Sequence, residues 1–137
     1  MLKLLLYVLL LSAFSCTKKN PEKYTQYLNG YWEIKTVILA DGSKKQYRFN
    51  QNIDFIEIKD STGIRKKVQP KLDNSFITTN DSELFTLKIE DDSLRLYYKT
   101  SLATWKETII SIKENNMTIK NETGNVYFYS RYKKIEL

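Results

Sequence analysis

A single cysteine, Cys16, carries the most reactive side chain in this sequence, and it directly follows a short N-terminal apolar run. The run starts with a basic residue, Lys3, continues as the leucine-rich segment 4–11, and ends with the small residues Ala13 and Ser15. A basic start, an apolar centre and small residues before a cleavage point are typical of a secretory signal. A thiol at the end of such a segment would be the first side chain of the mature protein. Its position indicates that another group is attached covalently to the Cys16 sulfur.

Other reactive groups are few. The chain contains no histidine, and without histidine or a free thiol it cannot build a Ser-His-Asp, Cys-His or zinc site. We therefore expect no catalytic residue, no metal, no cofactor and no internal disulfide. An enzyme is the remaining alternative, and it would have to use Asp, Glu, Lys or Tyr alone.

Carboxylates occur both in turns and inside strand patterns. The densest group, 90–92, lies between two apparent strands, which favours a solvated turn over a calcium site. Asp54, Glu57 and Glu107 lie within alternating segments, where they either point inward or lie on a wet face.

The N-terminus resembles that of a bacterial lipoprotein of the Bacteroidetes type, with Ala13 three positions before Cys16. The resemblance implies that residues 1–15 are a signal peptide, that Cys16 is acylated (palmitate-type lipid), and that 16–20 form a lipidated tether. The alternatives are a spanning anchor, for which the apolar run is too short, and an ordinary signal with an incidental cysteine. Thr17 stands where an aspartate retains many lipoproteins at the inner membrane. No acidic export pair follows, so we expect the periplasmic side of the outer membrane rather than the cell surface.

The remaining chain, 21–137, has the size of one domain. The net charge of the whole chain is +6, and the basic residues are spread out rather than clustered, so we expect no nucleic-acid partner.

The periodicity of the apolar residues predicts one short helix followed only by strands. Asn20-Pro21 is a helix start with Asn20 as the cap, and the helix ends at Asn29-Gly30. From Gly30 the apolar period changes to two. Turn clusters then separate ten short strands, which predicts an all-β, antiparallel, up-and-down barrel or a bent meander. The first strand follows Gly30, and the others are expected at 46–50, 53–59, 63–69, 75–79, 84–90, 93–99, 104–113, 117–121 and 125–134.

Gly30-Tyr31-Trp32, directly after the helix, resembles the Gly-x-Trp motif that opens the first strand of lipocalins. The resemblance implies a lipocalin-like (calycin) barrel in which a basic residue of the last strand covers the tryptophan, and Arg131 is the matching residue. An arginine fork can stack on an indole and donate to nearby carbonyls, sealing one end of the barrel. The segment 105–133 also resembles the C-terminal half of lipocalin-like domains in Bacteroidetes lipoproteins.

Alternation along the strands predicts a mostly aliphatic inner face that either fills the barrel or lines a ligand cavity. Trp105 interrupts a polar stretch and is either a residue of the barrel rim or a cover on the sheet. The candidate ligand-lining residues are Ile34, Ile56, Ile58, Phe85, Leu87, Leu96, Tyr98, Ile110, Met117 and Phe128.

Two functions follow from these expectations. The first is a non-enzymatic, membrane-anchored lipoprotein whose barrel binds a small apolar or amphipathic ligand. The alternative is an interaction scaffold whose loops contact another envelope protein or a polysaccharide.

Overall fold

The computed structural model describes residues 18–136, so Cys16, the predicted signal 1–15 and the start of the tether lie outside the described residues. The described chain has one helical segment, α1, which is a 3-10 turn (Pro21–Tyr24) continued by an α-helical turn (Thr25–Leu28). The ten strands are β1 Gly30–Ile38, β2 Lys44–Gln46, β3 Ile53–Lys59, β4 Thr62–Pro70, β5 Phe76–Thr78, β6 Glu83–Glu90, β7 Ser93–Lys99, β8 Thr104–Ile112, β9 Asn116–Asn121 and β10 Val126–Arg131. Within residues 18–136, no helix has the length and apolar character needed to cross a membrane.

The helix begins at Pro21 as expected, but the predicted side-chain cap is wrong. The Asn20 side chain makes no capping hydrogen bond, and its backbone carbonyl instead accepts from the Lys23 N–H at 3.1 Å. A tight first turn satisfies this donor through the main chain, so no side-chain acceptor is required.

Eight strands close into an antiparallel barrel, in the order β1-β3-β4-β6-β7-β8-β9-β10, with β10 pairing back to β1. The pairing of β1 with β10 that closes the barrel extends over most of β1. Trp32 lies opposite Arg131 at one end, and Ile38 lies opposite Val126 at the other. The two shortest strands are outside this ring, since β2 pairs with β1 and β5 with β4. Closing the ring leaves its strands without free edges, which removes the main aggregation hazard of a sheet.

The two ends of the barrel differ. The turns 60–61, 91–92 and 113–115 lie at the same end as the start of β1, where α1 also packs. The connections β1–β2, β2–β3, β4–β5–β6, β7–β8 and β9–β10 lie at the opposite end, which we call the open end. Asp91 and Asp92 both have positive φ angles, 51° and 56°, as a two-residue hairpin turn requires. Within the described chain, no group of carboxylates could hold a metal ion.

Most of the buried apolar side chains form one cluster inside the barrel, and β-bulges shift the inward-facing pattern at two places. The ladder between β1 and β10 slips between Ile34 and Thr36, and the ladder between β8 and β9 slips between Ile109 and Ser111. Each bulge inserts one residue and reverses the facing of those that follow it.

Because ring and core lie wholly within residues 18–136, we treat this segment as a domain that folds on its own.

Candidate ligand-binding site

The end of the barrel opposite the open end is sealed by the motif residues Gly30, Trp32 and Arg131, which the structure brings together. Trp32 is fully buried, and its indole N–H donates to the Leu28 carbonyl at 2.9 Å. The Arg131 guanidinium lies 3.8 Å from the centre of the Trp32 ring. A Cβ on Gly30, whose φ is 119°, would lie 2.7 Å from Arg131 Nη1, so only glycine suits this position.

Arg131 also joins the barrel to α1 and to the β8–β9 turn. Its Nη1 donates to the Asn29 carbonyl at 2.6 Å, its Nη2 to the Tyr27 carbonyl at 2.7 Å, and its Nε to the Glu114 carbonyl at 2.9 Å. Partial burial lowers the pKa of Arg131, because it outweighs the opposing charge of Glu114. This end of the barrel is therefore closed by a structural plug.

The ten predicted ligand-lining residues fall into three groups. Six are buried in the packed core: Ile56, Phe85, Leu87, Leu96, Tyr98 and Met117. Ile34 and Ile58 are half-buried against that core. Ile110 and Phe128, by contrast, lie outside it.

The expectation that Ile110 and Phe128 face inward is wrong. The bulge in β8 makes Ile109 the buried residue, and Ile110 is the inserted one. In β10, Tyr129 is buried and Tyr127 packs on the core, so by strand alternation Phe128 points to the opposite face. A period-two pattern cannot reveal a bulge, because the inserted residue leaves no mark in composition.

A cavity of about 540 Å³ lies at the open end, and none of the ten predicted residues lines it. Its lining is polar and aromatic rather than aliphatic: Asp54, Arg65, Lys66, Lys67, Thr79, Asp81, Ser82, Glu83, Trp105, Glu107, Asn121, Tyr127 and Tyr129. The volume lies within the usual range for small-molecule sites. Phe85 and Ile58 line a separate groove beside Gly63, and Ile34 lines a third one near Phe49.

The floor of the cavity is a buried arginine, Arg65, whose side chain is only 10% exposed. Its Nη2 donates to Asp54 Oδ2 at 3.0 Å and to the Tyr129 hydroxyl at 2.7 Å. Its Nη1 donates to Glu107 Oε1 and to the Tyr98 hydroxyl, both at 3.2 Å. Both terminal nitrogens are thus engaged by partners on four other strands. A charge this deep is tolerated because it is paired and hydrogen-bonded.

Charge pairing fixes the protonation of this cluster. Burial alone would lower the pKa of Arg65, but its neighbours, Asp54 first among them, together outweigh burial, and the pKa rises above its ordinary value. Burial alone would raise the pKa of Asp54, but Arg65 and Lys67, whose Nζ lies 2.5 Å from Asp54 Oδ1, together lower it. Burial raises the pKa of both Tyr98 and Tyr129 above the usual range. At neutral pH the floor therefore holds the Arg65 cation, the Asp54 carboxylate and two neutral phenols.

The wall of the cavity is aromatic. The indole of Trp105 stacks on the Tyr98 ring, with centroids 4.9 Å apart and planes 5° apart. Tyr127 completes the wall, and its hydroxyl accepts from the Asn121 side chain at 3.2 Å. Two positions were expected for Trp105, the barrel rim or a cover on the sheet. The structure agrees with the first, because Trp105 lines the mouth of the cavity.

The central residue of the floor, Arg65, was missed by the sequence analysis. It stands in the run 65–67, which looks like a solvated basic stretch. The only signal was the pair of strand carboxylates Asp54 and Glu107, which both point inward, whereas Glu57 is exposed. Two inward carboxylates require a buried cation, and the alternation of β4 provides Arg65.

A closed eight-stranded antiparallel barrel, plugged at one end and with a cavity at the other, has the architecture of the small up-and-down barrels, whose interior is either filled by side chains or holds one small ligand. The chain belongs to the lipocalin-like domain family, whose model matches residues 28–133. Proteins with lipocalin-like folds are typically binding proteins rather than enzymes.

Three solved structures are similar in fold. A lipocalin-like protein from Bacteroides uniformis is 8% identical, with a TM-score of 0.49, and the match covers 77% of this chain and 98% of that one. An uncharacterized protein from Bacteroides eggerthii is 11% identical, with a TM-score of 0.48 and coverage of 77% and 99%. Lobster apocrustacyanin A1 is 10% identical, with a TM-score of 0.45 and coverage of 89% and 74%. No curated protein matches the chain.

Proposed function

We propose that this protein is a membrane-anchored, non-enzymatic lipoprotein that binds a small amphipathic molecule in the open-end cavity. The observation that carries the proposal is the cavity itself, about 540 Å³ with an aromatic wall and a charged floor. The packed aliphatic core occupies the rest of the interior, so the ligand is small and partly polar rather than a long apolar chain.

The proposed anchor is a lipid on Cys16, supported by the signal-like run before it. Acyl chains contribute about 0.8 kcal/mol per buried methylene, so two or more of them hold a protein on a membrane stably. We place the protein at the outer membrane, on its periplasmic side, because no aspartate or acidic pair follows the cysteine.

The position of α1 gives this anchor a direction. Residues 17–20 span at most about 14 Å when extended, and they lead to Pro21 in the helix beside the plug. The open end lies across a barrel about 20 Å tall. In the anchored protein the cavity therefore faces away from the membrane that carries it and receives its ligand from the aqueous side.

A second candidate function is an interaction scaffold, favoured by two exposed apolar residues in open-end loops. Phe49 in the β2–β3 loop is 84% exposed, and Leu102 in the β7–β8 loop is 95% exposed. Isolated apolar residues are common on surfaces, so this candidate ranks behind the cavity.

Native mass spectrometry tests the proposal. Residues 17–137, exported to the periplasm of a bacterial host and purified without detergent, should carry an extra mass that is lost on denaturation. The Trp105→Ala variant, which removes the cavity wall, should lose this mass. Tyr97→Ala is the matched control, because Tyr97 lies on the outer face of the adjacent strand, bonded to Glu90, and should retain the mass. A bare mass for the unaltered protein at high concentration would count against ligand binding and favour the scaffold.

A further inference from the structure

The charges around the cavity are unequal, although the chain as a whole is basic. Four carboxylates line it: Asp54, Asp81, Glu83 and Glu107. Of the three cationic lining residues, Lys66 lies 5.7 Å over the ring of Phe55, which by strand alternation is on the outer face of the barrel. Four carboxylates therefore face two cations, Arg65 and Lys67, inside the cavity.

Both of those cations are already paired. The terminal nitrogens of Arg65 donate to Asp54 and Glu107, and Lys67 lies against the second oxygen of Asp54. A carboxylate on a ligand would therefore have no unpaired guanidinium to bind. It would also be repelled by the carboxylates of Glu83 and Glu107. Like charges brought together in a cavity cost affinity.

Several carboxylate oxygens, by contrast, remain available. Glu107 uses Oε1 for Arg65, and its Oε2 accepts no hydrogen bond from residues 18–136, although its side chain is only 12% exposed. Glu83 and Asp81, at the mouth, form no ion pair with any residue in the described part of the chain. These acceptors line the same cavity, with Glu83 at the start of β6 and Glu107 on β8.

The aromatic wall also favours a positively charged ligand. The faces of Trp105 and Tyr127 carry negative electrostatic potential and attract organic cations. This contribution is independent of the carboxylates, because it comes from the rings, and it acts together with the apolar contact that the same rings offer.

We propose that the ligand of this cavity carries a protonated amino group and has an aromatic or short alkyl body. This inference rests on the proposed function. The amino group donates to Glu107 Oε2 and Glu83, and the body lies against Trp105 and Tyr127. Asp54 and Arg65 hold the Glu107 carboxylate in place without binding the ligand themselves.

Three probes of the same shape test the sign of the charge: 3-phenylpropylamine, 3-phenylpropan-1-ol and 3-phenylpropanoate. Their affinities for residues 17–137 are measured by titration calorimetry at pH 7. The amine should bind about tenfold more tightly than the alcohol, as expected for a hydrogen bond to a charged group. The acid should bind more weakly than the alcohol.

Two variants locate the contact. Glu83 lies at the exposed start of β6. The Glu83→Gln substitution should weaken the affinity for the amine about threefold and leave the affinity for the alcohol unchanged. Glu57→Gln is the matched control, because Glu57 is an exposed carboxylate of β3 outside the cavity, and it should change neither affinity.

The outcomes separate this inference from the proposed function. If the alcohol or the acid binds as tightly as the amine, the inference is wrong and the proposed binding function stands. If the amine is preferred but Glu83→Gln and Glu57→Gln weaken it equally, the preference reflects general surface charge and the inference is wrong. If no probe binds, the inference is again wrong, and native mass spectrometry decides the proposed function separately.

Discussion

Replacing Arg131 by methionine should destabilise the barrel strongly, because it removes the link between the first strand, the last strand and α1. Arg131 donates three hydrogen bonds to backbone carbonyls and stacks 3.8 Å from the Trp32 ring centre. Hydrogen bonds from charged groups contribute about 1.5–3 kcal/mol each when buried. We count about 1 kcal/mol for each here, since the guanidinium is partly solvated, and about 0.5 kcal/mol for the cation–π contact. The expected loss in the free energy of unfolding is therefore about 3.5 kcal/mol.

Urea unfolding of residues 17–137, followed by the fluorescence of the buried Trp32, measures this loss. Arg131→Lys keeps the positive charge and can still donate in one direction. Relative to Arg131→Met, it should recover about 1 kcal/mol of the free energy of unfolding. The control is Arg95→Met, which removes an arginine that pairs with Glu90 and Asp91 at a surface turn and should cost much less. The reasoning would be refuted if Arg131→Met lost under 1 kcal/mol, or no more than the Arg95 variant.

Three further changes have defined outcomes. Gly63→Ala places a Cβ 2.6 Å from Phe85 Cε2, so it should cost about 1–3 kcal/mol by overpacking; adding Phe85→Leu should relieve part of this cost in a double-mutant cycle, whereas simple additivity would contradict the clash. Asp54 has a pKa below its usual value because its cationic neighbours outweigh burial; its contribution to stability is present above the unfolded pKa of about 3.9 and is lost as the pH falls through the lower folded pKa. Thermal unfolding should accordingly show a steeper fall between pH 5 and pH 3 for the unaltered protein than for Asp54→Asn, and parallel curves would be inconsistent with this. Cys16→Ser should move the full-length protein from the detergent phase to the aqueous phase in Triton X-114 partition, and unchanged partition would exclude acylation of Cys16.

The sequence predicts the strands of this fold well because each carries its own local signal. Alternation of apolar residues and Asp- or Asn-rich turns locate all ten strands, and Gly30-x-Trp32 with Arg131 indicates which strands close the ring. The largest deviations are at β2, which is Lys44–Gln46 rather than 46–50, and at β10, which ends at Arg131 rather than at 134.

The candidate site could not be predicted to the same degree, because it depends on non-local placement. Arg65, Asp54 and Glu107 are on different strands, and each is unremarkable in its own segment. The bulge at Ile110 reverses the facing of the C-terminal part of β8 without any sequence mark. Whether an aliphatic inner face fills a barrel depends on tilt and stagger; here Ile56 and Leu96 are buried in the core, and the polar cavity lies at the open end.

The two indole N–H groups of this chain allow the most direct test of the central claim, which is that a ligand carrying an amino group binds at the open end. Trp105 lies in the cavity wall, whereas Trp32 is buried in the opposite plug and bonded to the Leu28 carbonyl. In ¹⁵N-labelled residues 17–137 titrated with 3-phenylpropylamine, the Trp105 indole resonance should shift in a saturable manner and the Trp32 resonance should stay fixed. A shift at Trp32 alone, or none at either indole up to millimolar probe, would contradict the account.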